Sequence, residues 1–264
     1  MQKACLFCDV AQPSSLEHII PESLGNDDLV LTNDVCASCN NFFSKIENYV
    51  LEKTEIAFWR SFLGIRTKKG KLPSVVLSQP KKRKGTYPDF HTAHDSEVGF
   101  SFHEDGSCSV DISSDETVLD LISGEKDHFK FVMTPKVLHN LGRFFCKIGV
   151  ELICSINPED ARSDRFRRAR DYARHGSNDE LWPLFHYTSG NISDLMKFID
   201  NDCKEVTCYD YSLLEFSEYI LLRLKVGTSN WVVCLNDQWP MPTINSAFSQ
   251  NDLKLIWYPK ESFR

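Results

Sequence analysis

No stretch of this sequence approaches the roughly 18 uninterrupted apolar residues of a membrane-spanning helix, and even Tyr219-Ile220-Leu221-Leu222 is broken by Arg223. Met1-Gln2-Lys3-Ala4 runs straight into Cys5, which leaves no room for the apolar core of a secretory signal. Together these absences predict a soluble, cytoplasmic protein. A Gly-rich phosphate loop, a Ser-His-Asp order and an internal repeat are also missing. Their absence excludes a nucleotide cradle, a serine-hydrolase triad and a solenoid. Without a secretory signal, the ten cysteines are not a disulfide framework. Six of them, Cys108, Cys146, Cys154, Cys203, Cys208 and Cys234, are scattered through apolar or strand-like settings and are expected to be reduced small hydrophobes.

The other four cysteines form two C-x2-C pairs, Cys5-Leu6-Phe7-Cys8 and Cys36-Ala37-Ser38-Cys39. Each pair has the spacing at which two thiolates bind one metal ion. Four thiolates around a tetrahedral zinc leave no coordination position for water or substrate, so the predicted zinc is structural. Any chemistry must then lie between the pairs, where Leu16-Glu17-His18-Ile19-Ile20-Pro21 is followed by Asn33, with Asn40 directly after the last cysteine.

The Glu-His-Ile-Ile-Pro run and the Cys-Ala-Ser-Cys-Asn run, in that order, resemble the HNH endonuclease family in its zinc-stapled form. The resemblance covers about the first fifth of the chain. It implies a small ββα-metal module in which Glu17 and Asn40 hold a divalent cation, His18 is the general base that activates water, and Asn33 orients His18. The family more often has Asp at the first position and His at the last. A carboxylate with an amide oxygen is a hard donor pair that suits Mg2+ or Mn2+. The implied activity is hydrolysis of DNA phosphodiester bonds, with double-stranded DNA as the expected partner, 5′-phosphate and 3′-hydroxyl products and a setting in anti-phage defence. The residue types agree with that chemistry: a neutral imidazole can take a proton from water near neutral pH, and a divalent cation answers the charge growing on the phosphate oxygens.

The expected fold class is α+β, with three parts. Residues 1–63 would form the nuclease module, 64–88 a basic DNA-contacting linker, and 89–264 a larger α+β domain with antiparallel strands. A module of that size can fold on little core because metal binding supplies folding free energy. Its helix is expected over Asn40 to Leu63, where Phe43, Ile46, Val50, Ile56 and Trp59 recur at helical spacing. Glu47, two turns beyond Asn40, reads as either a support for the metal or, with more weight, a solvated helix carboxylate.

Arg60, Arg66, Lys68, Lys69, Lys71, Lys81, Lys82, Arg83 and Lys84 follow with no acid between Glu55 and Asp89, in a chain of formal net charge -7. Such asymmetry suits a polyanion held on one face. Beyond Pro88, a hairpin is expected over 97–112 with its turn at His103-Glu104-Asp105-Gly106, then a strand over Phe129 to Met133. His91, His94 and His103 have no acid or cysteine partners at ligand spacing and are expected at strand ends or on the surface.

Pro135 opens a long amphipathic helix to about Ile153, and a second helix carries Arg162, Arg165, Arg167, Arg168, Arg170 and Arg174. These arginines either line phosphate backbone or pair with acids such as Asp164 and Asp171. Strands are expected over Leu181 to Tyr187, Leu213 to Lys225, Trp231 to Leu235 and Leu253 to Tyr258, with a helix from Ile192 to about Ile199. Trp182, Trp231, Trp239 and Trp257 form either a base-stacking platform or, with more weight, core. This part is expected to recognise DNA, a protein partner or an activating signal.

The competing function is a zinc ribbon that binds nucleic acid or protein without catalysis. Glu17-His18 placed between the cysteine pairs speaks for the nuclease, since a plain ribbon does not need it. If the basic run contacts phosphates, replacing Lys81, Lys82, Arg83 and Lys84 by Ala should weaken DNA binding and reduce the slope of log K against log salt by about 0.9 per lost contact. An unchanged slope in a salt titration would make that run a linker.

Overall fold

A computed structural model describes residues 4–8, 12–63, 65, 75–78, 97–102, 108–112, 134–176, 181–188, 209–216, 218–236 and 256–257. It combines helices with three antiparallel sheets. The first sheet is a short pair, β1 (Leu16–His18) with β2 (Val30–Thr32), in the register Leu16↔Thr32, Glu17↔Leu31, His18↔Val30. The loop between them is closed by buried Asn26, which donates to the carbonyls of Ile20 and Leu29 and accepts from the Leu29 amide. That satisfies three backbone groups at once, so Asn26 is a turn clamp.

Helix α1 (Ala37–Lys53) begins immediately after Cys36, three residues earlier than the apolar spacing suggests. It buries Cys39, Phe43, Ile46, Val50 and Leu51. It also stops earlier, because Thr54 is extended and uses its hydroxyl twice: the group donates to the Val50 carbonyl at 2.7 Å and accepts from the Ile56 amide at 3.3 Å. The single helix expected over 40–63 is therefore two, with α2 (Glu55–Phe62) starting anew at a Thr cap. Arg60, the first residue of the basic run, is buried in α2 and is not a surface phosphate contact.

Strands β3 (Val75–Ser78), β4 (Glu97–Phe102) and β5 (Cys108–Ile112) form the second sheet in sequence order, with β4 and β5 as the expected hairpin. Helix α3 (Pro135–Ile156) then runs through the middle of the molecule. It starts as an α-helix should, with the Thr134 hydroxyl accepting from the Val137 amide and Pro135 at the first helical position. Sixteen of its 22 residues are buried, so nearly every side of it is core. Helices α4 (Pro158–Arg162) and α5 (Arg167–His175) follow.

The third sheet has the order β10-β6-β9-β8-β7, from β6 (Phe185–Thr188), β7 (Tyr209–Phe216), β8 (Tyr219–Val226), β9 (Ser229–Cys234) and β10 (Ile256–Trp257). The apolar stretch expected as one strand over 213–225 is a hairpin, with Phe216 paired to Tyr219. A continuous apolar run can be one long strand or two that fold back on each other, and periodicity does not separate them. The strand over 129–133, the helix over 192–199, His91, His94, His103, Trp239 and Lys81 to Lys84 lie outside the described residues.

One hydrophobic cluster runs from Cys5 through α1 and α3 to Leu235. Trp182 and Trp231 belong to it: Trp231 stacks on Phe145 at 5.7 Å, and the Trp182 indole donates to the Cys234 carbonyl. Both are core side chains, not a stacking platform. Cys146, Cys154 and Cys234 are buried, as expected of small hydrophobes.

Helix α2 is locked onto the third sheet by polar groups. The Trp59 indole donates to Glu55 Oε1 at 3.1 Å and to Ser229 Oγ at 2.9 Å, Ser229 donates to Glu55, and His186 Nε2 stands 3.4 Å from Glu55 Oε2. Burial works to raise the Glu55 carboxyl, but the His186 contact, with the bonds from Ser229 and Trp59, outweighs it and holds the group below its ordinary range. Gly227 turns the β8–β9 hairpin at φ 61°, and a Cβ there would run into the Trp59 ring. Gly227→Ala combines a left-handed backbone with that clash and should destabilise the fold by about 2 kcal/mol or more, seen as a lower urea midpoint.

Candidate metal centre and buried charge cluster

Backbone geometry brings the two C-x2-C pairs together before any metal is considered. The Leu6 amide donates to the Asp34 carbonyl at 2.9 Å, and the Cys36 amide donates to Cys5 Sγ at 3.3 Å. The ligand sulfurs of Cys5, Cys8, Cys36 and Cys39 all lie within 4.8 Å of one another, and Cys8 Sγ is 3.8 Å from Cys36 Sγ. A tetrahedron with Zn–S bonds of about 2.3 Å has S–S edges of about 3.8 Å. The four cysteines therefore fit a structural zinc, and theirs is the one such cluster among the described residues.

The hydrogen bond from Cys39 holds the Cys5 thiol down at about 4, and Cys39, as its donor, is pushed up in turn. Burial raises Cys36. Zinc binding must strip the protons that remain on the four thiols. Arg174 on α5 lies 4.1 Å over the Phe42 ring. Behind Cys36, buried Asp34 is gripped by Arg162 at 2.7 Å and accepts from Cys154 Sγ at 3.2 Å.

The arginines of 162–174 divide accordingly. Arg162 braces the chain beside Cys36 through Asp34, Arg174 packs on Phe42, and buried Arg170 donates to the carbonyls of Ala161 and Ser163. Arg167 pairs with Asp164 at 2.9 Å on the surface. The acid-pairing reading describes Arg162 and Arg167, and Arg170 serves the backbone.

The residues between the cysteine pairs are arranged by the pleat of β1, which turns successive side chains to opposite faces. Leu16 is exposed, Glu17 is buried and His18 is half-buried. Asn40, in the first turn of α1, donates its amide to the Leu16 carbonyl at 2.9 Å and so joins the helix to the strand that carries His18. Asn33 adopts φ 58° just past β2, and its amide donates to the Ser15 carbonyl. That is the far end of the hairpin from His18, about 10 Å along the strand, and no hydrogen bond joins the two side chains among the described residues. The structure thus brings Asn40 to the His18 strand and leaves Asn33 apart.

Glu17 meets a cation, but the cation is Lys147 of α3. Lys147 Nζ lies 2.6 Å from Glu17 Oε1, 2.8 Å from Glu47 Oε1 and 3.1 Å from Glu151 Oε2. It also donates to the carbonyls of His18 at 2.9 Å and Ile19 at 3.3 Å. Glu47 is therefore no solvated carboxylate; it belongs to this cluster. Burial works against the Lys147 charge, and Glu151, Glu47 and Glu17 outweigh it, so the ammonium is held above its usual range. Burial raises Glu17, with Lys147 opposing, and raises Glu151 well above the ordinary carboxyl range.

Three carboxylates face one ammonium, and of the three, fully buried Glu151 is the one whose charged form burial disfavours most. Lys147 and Glu151 escaped sequence reading as site residues. The available signal was an i,i+4 Lys–Glu pair inside a helix apolar on nearly every side, where neither charge can reach water. No family model, curated protein or solved structure matches this chain.

If burial keeps Glu151 protonated at pH 7, Glu151→Gln should change stability there by less than about 1 kcal/mol. Lys147→Met strands Glu17 and Glu47 and should cost about 3 kcal/mol or more. Urea denaturation of the two variants beside the wild type measures both.

Proposed function

We propose that this chain is an HNH-type endonuclease that hydrolyses DNA phosphodiester bonds, with His18 as the general base. The observation that carries the reading is local. A β-hairpin and the helix after it are clipped at the cysteine cluster, His18 stands half-buried at the end of β1, and Asn40 of the helix is bonded to that same strand. In this reading the hairpin-then-helix order is that of a ββα-metal module held by zinc. His18 would take a proton from the attacking water, and the bond to the 3′ oxygen would break to leave 5′-phosphate and 3′-hydroxyl ends.

The resemblance assigns Mg2+ or Mn2+ to Glu17 and Asn40. As they stand, the two do not present an open cation site: Glu17 is turned into the core with one oxygen on Lys147, and its other oxygen, Oε2, is buried without a hydrogen-bond partner among the described residues. The chemistry supported by this arrangement is the proton transfer at His18.

The burial of Glu17 favours a second reading, a zinc-held module that binds nucleic acid or protein and catalyses nothing. Cleavage of supercoiled plasmid with magnesium or manganese, run beside His18→Ala, separates the two. The nuclease reading expects wild-type cutting that His18→Ala abolishes at unchanged zinc content. Wild-type protein that binds DNA but cuts under neither metal would favour the binding module.

A further inference from the structure

The oxygens around Lys147 Nζ come from four places: the Glu17 side chain, the consecutive carbonyls of His18 and Ile19, Glu47 on α1, and Glu151 on α3 itself. Consecutive carbonyls of a regular strand point to opposite sides. His18 and Ile19 can both reach one ammonium because the backbone leaves the pleat between them, where β1 ends. The Ile19 amide then donates to the Leu29 carbonyl at 3.0 Å, which fixes the far side of the bend. The imidazole of His18 therefore hangs from a backbone whose direction is set by a buried charge on a helix 129 residues away in sequence. An ammonium in an oxygen shell is also the kind of counter-charge a carboxylate needs when no metal reaches it.

We propose that Lys147 is a positioning residue for His18, and that its ammonium, in place of a divalent cation, is the counter-charge of Glu17. The inference rests on the phosphodiesterase reading and extends it to α3. It separates two jobs that the sequence pattern assigns to one carboxylate: Glu17 anchors the strand, and any catalytic cation takes its ligands elsewhere.

The test uses the full zinc-loaded chain cleaving plasmid DNA across a range of magnesium concentrations. The variants are Glu17→Gln, Glu47→Gln and the double variant Lys147→Met/Glu151→Met. A misplaced base should lower kcat about tenfold or more in Glu17→Gln and in the double variant, with KM for DNA and the half-activating magnesium concentration within about twofold of wild type. A half-activating magnesium concentration raised about tenfold or more by Glu17→Gln would make Glu17 a metal ligand and overturn the proposal. Full activity of the double variant would overturn it as well.

Should the double variant not fold, Glu47→Gln, at a position 17% exposed, removes one partner of the ammonium and leaves Glu17 in place. Hydrogen exchange at the Ile19 amide reads the positioning without catalysis. It should speed up about tenfold in the folded variants if Lys147 holds the bend, and unchanged exchange would sink the idea. Wild-type protein that cuts nothing ends the phosphodiesterase reading, whereas cutting that every variant matches ends this proposal alone.

Discussion

An ammonium with 1% of its side chain exposed is the constraint around which the helical half of this protein is arranged. Removing such an ion from water costs several kcal/mol, and only close, well-directed oxygens offset it. Lys147 finds them on three separate elements, β1, α1 and α3. Those elements consequently cannot slide past one another without stranding a charge. Apolar packing alone would tolerate a range of helix positions; a charge cluster with contacts of 2.6 to 3.1 Å tolerates few.

The cysteine cluster and the Lys147 cluster hold α1 in complementary ways. The sulfurs fix where the helix begins, since Cys36 and Cys39 bracket its first residues and Cys5 and Cys8 tie them to the chain's start. Glu47, near the middle of the helix, is held by Lys147. Asn40 lies between these two points and bonds to β1. Asp34 with Arg162, and Phe42 with Arg174, extend the bracing to α4 and α5. The strand carrying His18 is thus supported from both sides by contacts that are strong and directional, which is what a site needs if one imidazole must be kept within a fraction of an ångström of its working position.

At the other end, Glu55, Trp59, Ser229 and His186 join α2 to the five-stranded sheet. The N-terminal segment and the following part therefore share one continuous buried cluster from Cys5 to Leu235, although their sequences read as a small metal-held module and a separate larger domain. Among the described residues no helix is long and apolar enough to cross a membrane.

The sequence by itself determined the features that depend on local spacing. Two C-x2-C pairs place four sulfurs within reach of one ion, alternation and turn residues specify the β4–β5 hairpin, and Pro135 with the apolar period behind it starts α3 where it is found. Asn40 beside the His18 strand also follows from its place after the last cysteine. Only the tertiary structure decided which charges are buried together. Glu17 and Lys147 are far apart in sequence, and the identity of Glu17's counter-charge depends on how α3 crosses β1, which no short-range pattern encodes. The same holds for Asn33, whose hairpin register puts it at the wrong end for His18, and for Glu47, whose helix position is equally compatible with solvent or core. Ligand spacing is a property of neighbouring residues, whereas desolvated ion pairing is a property of the packed whole.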